Sequence, residues 1–485
     1  MCPSCRQRPM HRPYRNTPPL SRILIRWQVY YNNKGSKCKD ARFGVQNLLQ
    51  QMYNTADSVI VGNYVGSNAL AAVGSSTAII NLLIAFSQGI AVGAGVLVSQ
   101  AIGANKKADT KKAVHTSLAI SLLLGIFLTL VGFIFTPQIL EIMKTPTDVM
   151  NDSITYLRIF SLGLVFNVIY NMEAGVLNAV GNSKRSLLYL AIASVTNIIL
   201  DLFFIKSLKL GVLGAAIATD ISQVVSCILA LYFLIRVKSI YQVQISEIKL
   251  HKNTAIQMIK VGLPTGVQNM VISLSNVLVQ SSVNVFGPTI MAGFGAYMKI
   301  DGFNILPVMS LSMASTTFTG QNYGAGEKER VKKGMWTTLV IVLIYTGITG
   351  ALLLTFSNSV MTLFTTDVNV IDAGVSAMKY FCPFYFLLGT LQALAGTVRG
   401  TGKTIPPMVI LLVSMCLFRI AWVQIVLPYF NTIENVYVLY PISWAIGTAL
   451  MIIYTLKSKW LEYGNFCYFF IFKRHSIKQF NNFIL

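Results

Sequence analysis

From Gly44 onward the chain alternates long apolar runs with short polar breaks. Twelve runs reach about 20 residues or more, the length that carries an α-helix across a bilayer core. They cover residues 44–66, 69–102, 113–136, 148–180, 187–206, 211–237, 254–286, 290–321, 334–357, 370–398, 405–427 and 436–456. Several exceed what an upright helix needs, so tilted or bent helices are expected. The pattern predicts an all-α polytopic membrane protein with twelve transmembrane helices.

The runs repeat. Ser99–Leu118 (SQAIGANKKADTKKAVHTSL) aligns with Gly320–Leu339 (GQNYGAGEKERVKKGMWTTL) at an offset of 221. Gly-Val-Gln-Asn occurs at 44–47 and at 266–269, an offset of 222, and Gly181-Asn-Ser-Lys184 matches Gly400-Thr-Gly-Lys403 at 219. Near-equal offsets in one order predict two six-helix lobes, 44–237 and 254–456, joined by a linker at 238–253. Six spans is an even number, so both lobes share one orientation and are related by an axis along the membrane normal. Two such lobes facing each other enclose a central cleft, the layout of alternating access.

Composition agrees: of 485 residues, 54% are hydrophobic and 12% charged, with a mean hydropathy of +0.60. A net charge of +22 raises the question of nucleic acid, but its placement answers against it. Loops after even-numbered runs hold seventeen Lys/Arg, Arg399 among them, whereas loops after odd-numbered runs hold three, Lys144, Lys206 and Lys209. That asymmetry is a topology signal, and it predicts that both termini are cytoplasmic. A monomer is expected.

Residues 1–43 differ from the rest, with ten Lys/Arg against Asp40 and no span-length apolar run. They read as a basic tail. Because the repeat begins abruptly at Gly44, a shifted reading frame or wrong start is the expectation there. The tail 457–485 is aromatic and basic, which suits a membrane surface or a similar artefact.

Few ionisable residues interrupt the runs. Asp57 lies in the first, where a lone aspartate costs roughly 2.5–3.5 kcal/mol at bilayer depth. Asn197 and Asp201 are four apart and so share one helix face, and Thr219 can add a hydroxyl from the next run. These four oxygen donors, with two negative charges, suit a small hard cation such as Na⁺, or the two carboxylates can share one proton. Either way the site changes charge on loading, which coupling requires. Gln50, Tyr53, Asn54, Gln280, Lys299 and Asp301 are candidates to line the cleft. Arg419 reads as a structural or cavity residue, and Glu173 and Asp220, near the ends of their runs, as interfacial.

Other chemistries lack a basis. None of the four His lies mid-run, the seven Cys are scattered, and Cys2/Cys5 form a lone CxxC without a second ligand pair. No Walker pattern surrounds Gly402-Lys403, so direct ATP coupling is not expected and neither is a resident cofactor.

The segments QQMYNTADSVIVGNYVG, SQAIGANKKADTKKA, GVLNAVGNSKRS, SVTNIILDLFFI and GTVRGTGKT resemble the multidrug and toxic compound extrusion (MATE) transporters, in particular their DinF-like and MepA-like bacterial branch. The resemblance runs from about Gly44 to Lys459. It implies two lobes around a V-shaped cleft and export of cationic or amphipathic compounds driven by inward Na⁺ or H⁺. It also implies a first-lobe cation site at Asp57, Asn197, Asp201 and Thr219. Two departures stand out: Arg42 occupies the place of a first-helix proline, and Asn178 the place of a frequent arginine. A flippase for lipid-linked oligosaccharides, built on a related two-lobe plan, would want a strongly cationic cleft. A membrane-embedded transferase would want a His or paired acids in a surface loop.

Overall fold

A computed structural model describes residues 60–62, 64–143, 145 and 147–462 of the chain. Among the described residues every regular element is helical. The first half contains α1 (Ser67–Gly103), α2 (Lys107–Ile142), α3 (Thr147–Ala179), α4 (Ser183–Asp201) and α5 (Gly211–Arg236). The second half contains α6 (Lys252–Asn284), α7 (Pro288–Gly324), α8 (Lys328–Thr355) and the short α9 (Ser357–Met361). It continues with α10 (Val368–Phe381), α11 (Tyr385–Gly400), α12 (Ile405–Leu412), α13 (Phe418–Ile425) and α14 (Ile433–Lys457). A 3₁₀ turn at Cys382–Phe384 joins α10 to α11. Turns of π-helix extend α4 (Leu202–Ser207) and join α12 to α13 (Val413–Leu417).

Nine helical stretches among the described residues are long and apolar enough to cross a membrane. Two more, α6 and α7, are as long, at 33 and 37 residues, but more polar. The expected first span, 44–66, lies almost wholly outside the described residues. Helices outrun the apolar runs that announced them. With 36 residues, α2 extends about 54 Å, against a hydrocarbon core of about 30 Å. Its first turns, bearing Lys107, Lys111 and Lys112, therefore project past the apolar centre that hydropathy detects. On its outer side Leu122, Leu123, Ile126, Phe127, Leu130, Phe133 and Ile134 are exposed, a continuous apolar helix face suited to contact with lipid.

The repeat is visible in the backbone. Left-handed residues occur at Gly66 and Gly287 (φ 117° and 99°), Asn105 and Gly326 (55° and 85°), and Gly181 and Gly402 (80° and 87°). The members of each pair stand 221 positions apart. Glycine suits these turns because a Cβ is penalised there, and Asn105 is the residue type that best tolerates the exception. This corrects the sequence pairing of Gly181 with Gly400: the turn glycine of the second half is Gly402, and the offset is constant.

One end of the bundle carries the loops at 104–106, 180–182, 325–327 and 401–404, with Lys106, Lys107, Lys184, Arg185, Lys328, Arg330 and Lys403 in or beside them, and is called the basic end below. The segment expected as a linker docks there on α2. Lys111 Nζ lies 2.6 Å from the Glu247 carboxylate, and this bond holds the Glu247 carboxyl below the usual glutamate range. His115 Nε2 accepts from the Gln244 amide at 3.0 Å, and Val243 is buried.

Candidate functional site

Asn197 and Asp201 sit one turn apart on the inward face of α4, and both are 0% exposed. Thr219, also buried, faces them from α5: Asn197 Nδ2 donates to Thr219 Oγ1 at a long 3.4 Å. Asn197 Oδ1 accepts from none of the described residues. A buried acceptor normally has a partner, so this oxygen marks a place suited to a cation or a proton donor. The π turn begins immediately after Asp201. Such turns carry an extra residue per turn and concentrate at functional positions. Ile60 and Val61 pack in one cluster with Ile205, Val212 and Ala215, so the end of the first span enters the bundle on these two helices. Asp57, the fourth candidate, lies outside the described residues, as do Gln50, Tyr53 and Asn54.

A cavity of about 530 Å³ lies between the halves, walled by α1 and α3 on one side and by α6, α7, α11, α13 and α14 on the other. Among the described residues its first-half wall is uncharged, mostly small and apolar, with polar groups at Gln88, Asn171 and Asn178. The charged residues among its described lining all come from the second half: Asp301, Arg399 and Arg419. Asp301 Oδ1 accepts from Tyr385 Oη at 2.7 Å and from Tyr297 Oη at 3.4 Å. Arg419 donates to Ser443 Oγ at 3.1 Å and Asn276 Oδ1 at 3.0 Å and stacks 4.3 Å from the centre of the Tyr440 ring. Phe381 and Trp444 continue that aromatic surface.

The cavity is shut at the basic end by an exchange of bonds. Gln100 of α1 donates to the carbonyl of Gly400 at 2.9 Å, and Gln321 of α7 donates to the carbonyl of Ala179 at 2.8 Å. Both donors and both acceptors are 221 apart, so each half closes on the other through equivalent groups. Close helix contact makes this possible. A Cβ on Gly103 would collide with the Gln321 carbonyl, and one on Gly324 with that of Gln100. Nearer the middle, Gly89 and Gly93 of α1 meet Gly266 and Gly262 of α6 in the same way. Away from the basic end, Gly295 and Gly302 of α7 have nothing near a would-be Cβ, so the packing loosens there.

Other candidates are placed apart. Lys299 is exposed and outside the cavity lining, on a different side of α7 from Asp301. Gln280 also lies outside the lining and bonds Asn284 one turn on, at 3.0 Å. Two residues were misread from sequence. Arg399, counted with the loop charges, is 7% exposed, bonds Ser312 Oγ at 3.2 Å and lines the cavity. Its repeat equivalent is Asn178, which also lines the cavity; projecting one half onto the other would have found it. Glu173, expected at the interface, is 0% exposed, and neither carboxyl oxygen meets a hydrogen-bond partner among the described residues.

A helical bundle whose halves enclose a cavity, shut at one end by equivalent bonds, has the architecture that a membrane transporter requires. The profile of the MatE family matches residues 43–203 and 264–423, once in each half. The chain is 30% identical over 84% of its length to the probable multidrug resistance protein YoeA of Bacillus subtilis, covering 90% of that protein. It is 22% identical over 86% of its length to the multidrug export protein MepA of Staphylococcus haemolyticus, covering 92% of it. The fold matches an outward-facing structure of a multidrug resistance MATE family transporter with a TM-score of 0.80 at 23% identity, over 88% of this chain and 99% of that one. The chain belongs to the MatE family, a family of transporters and not of enzymes.

Proposed function

We propose that this chain is a cation-coupled antiporter that exports amphipathic organic compounds by alternating access. The observation that carries the reading is the buried Asn197–Asp201–Thr219 cluster, set in one half of a molecule whose two halves enclose a cavity. The Asp201 carboxylate, the Asn197 oxygen and the Thr219 hydroxyl would hold Na⁺, or Asp201 would take a proton, with Asp57 as the fourth group. The names of the relatives support a drug-like substrate, since YoeA and MepA are described as multidrug proteins.

The loop charges support an orientation with the basic end and both termini in the cytoplasm of a bacterial inner membrane. Removing Arg399 from the loop count leaves that asymmetry in place. The shut end is then cytoplasmic, and the cavity faces outward. A single chain supplies both cavity walls, so a monomer suffices. The coupling ion works only through a preference between states. Moving the lobes from 1:99 to 99:1 requires about 5.5 kcal/mol of differential affinity.

Dye efflux in everted vesicles, with Na⁺ and ΔpH imposed separately, tests the reading. Asp201→Asn is expected to abolish gradient-driven efflux while the protein still reaches the membrane. Undiminished efflux by that variant would remove the proposal.

A further inference from the structure

The fifth span of the first half presents Asn197 and Asp201 beside a π turn at Leu202–Ser207. Its counterpart in the second half, α12 to α13, also contains a π turn, at Val413–Leu417, but the charged residue beside it is Arg419. The two halves have thus placed opposite charges on equivalent spans. Arg419 is 3% exposed and lines the cavity. Its partners among the described residues are all neutral: Ser443 Oγ, Asn276 Oδ1 and the Tyr440 ring. It forms no ion pair among the described residues. Its Nη2 donates to no described residue, yet it is not sealed from the cavity. Arg399, deeper toward the basic end, likewise meets only neutral acceptors among the described residues, Ser312 Oγ and the Ala395 carbonyl.

A desolvated guanidinium without an anion is costly at membrane depth. Water in an open cavity removes that cost, but an apolar ligand would displace the water. A purely cationic or neutral ligand seated here would strand the charge. A ligand carrying an acidic group would take the free Nη2 donors, and its apolar body would lie against Tyr440, Trp444 and Phe381. Asp301 lines the same cavity, but two tyrosine hydroxyls hold one of its oxygens, and with Arg399 and Arg419 the charged side chains of the described lining are two cations to one anion.

We infer that Arg419 is an anion-recognition site, and that the cavity takes amphiphiles bearing a carboxylate, sulfonate or phosphate. This rests on the reading of the cavity as the substrate cavity, and it departs from the expectation of a cationic cargo.

The test is equilibrium binding to the full-length protein in phosphatidylcholine nanodiscs, with two dansyl probes that differ only in ending in a sulfonate or a quaternary ammonium. The wild type should prefer the sulfonate by about tenfold or more, the worth of one charged hydrogen bond. Arg419→Gln should lose that preference and Arg419→Lys should keep part of it. Asn276→Asp, which sets a carboxylate beside the guanidinium without removing it, should also lose sulfonate binding and covers the case in which Arg419→Gln does not fold. Wild-type preference for the ammonium, failure of the sulfonate probe to bind, or unchanged sulfonate affinity in Asn276→Asp would each overturn the assignment. Discs that also contain phosphatidylglycerol separate two sources of the anion. Displacement of the sulfonate probe there identifies a lipid, and retention a free amphiphile; both support the site. No ion gradient is applied, so this outcome is independent of whether Asp201→Asn abolishes transport.

Discussion

Glu173 is a carboxyl wholly inside the first half, with both oxygens lacking described partners. An unsatisfied buried polar group costs about 1–3 kcal/mol. Glu173→Met is therefore expected to raise the melting temperature in detergent, read as the monodisperse peak surviving heating. A fall of several degrees would show that the carboxyl has a role beyond occupancy. The sequence could not separate this residue from an interfacial one, since it sits a few positions from the end of an apolar run. That Asn197 and Asp201 share one face was legible, because a spacing of four fixes it whatever surrounds the helix. Thr219 was suggested only as a hydroxyl early in the next run, and its contact with Asn197 comes from the packing of the two helices. Arg399 was not legible as a cavity residue, because the helix continues past the last apolar residue and carries the charge inward.

At the level of elements, positions of spans could be read and their ends could not. Hydropathy reports the apolar middle, while α2, α7 and α8 continue through polar turns that hydropathy scores as loops. The contact between α1 and α7 is an element-scale feature with a measurable consequence. Each glutamine–carbonyl bond is worth about 1 kcal/mol net, so removing both shifts the shut state by about 30-fold relative to an open one. Gln100→Leu with Gln321→Leu should therefore make Thr317→Cys, in the cavity wall, react faster with a thiol reagent applied from the basic end. Each single substitution should give a smaller increase. Gly103→Ala or Gly324→Ala should act in the same direction by crowding the opposing carbonyl. Unchanged labelling in the double variant would mean that other contacts hold this end closed.

For the whole molecule, the two-lobed plan followed from a repeat in sequence, and the backbone gives that repeat one constant spacing. Orientation still rests on the loop charges. A cysteine introduced at Asn284, near the end of α6 opposite the basic end, should be labelled by an impermeant reagent added to intact cells. One introduced at Lys328, at the start of α8, should be labelled only after the membrane is opened. The reverse pattern would invert the assigned topology and, with it, the direction of the open cavity.

The fixed interval of 221 has an experimental use. From Ser67 to Arg236 most helical positions have a twin 221 residues on that occupies the same place in its half but differs in chemistry. Asn178 and Arg399 form one such pair, and Gly181 and Gly402 another. A substitution made at one twin and then at the other holds architecture constant and varies only what each half has since acquired. The protein thereby carries an internal control for separating what a residue does for the scaffold from what it does for the cargo.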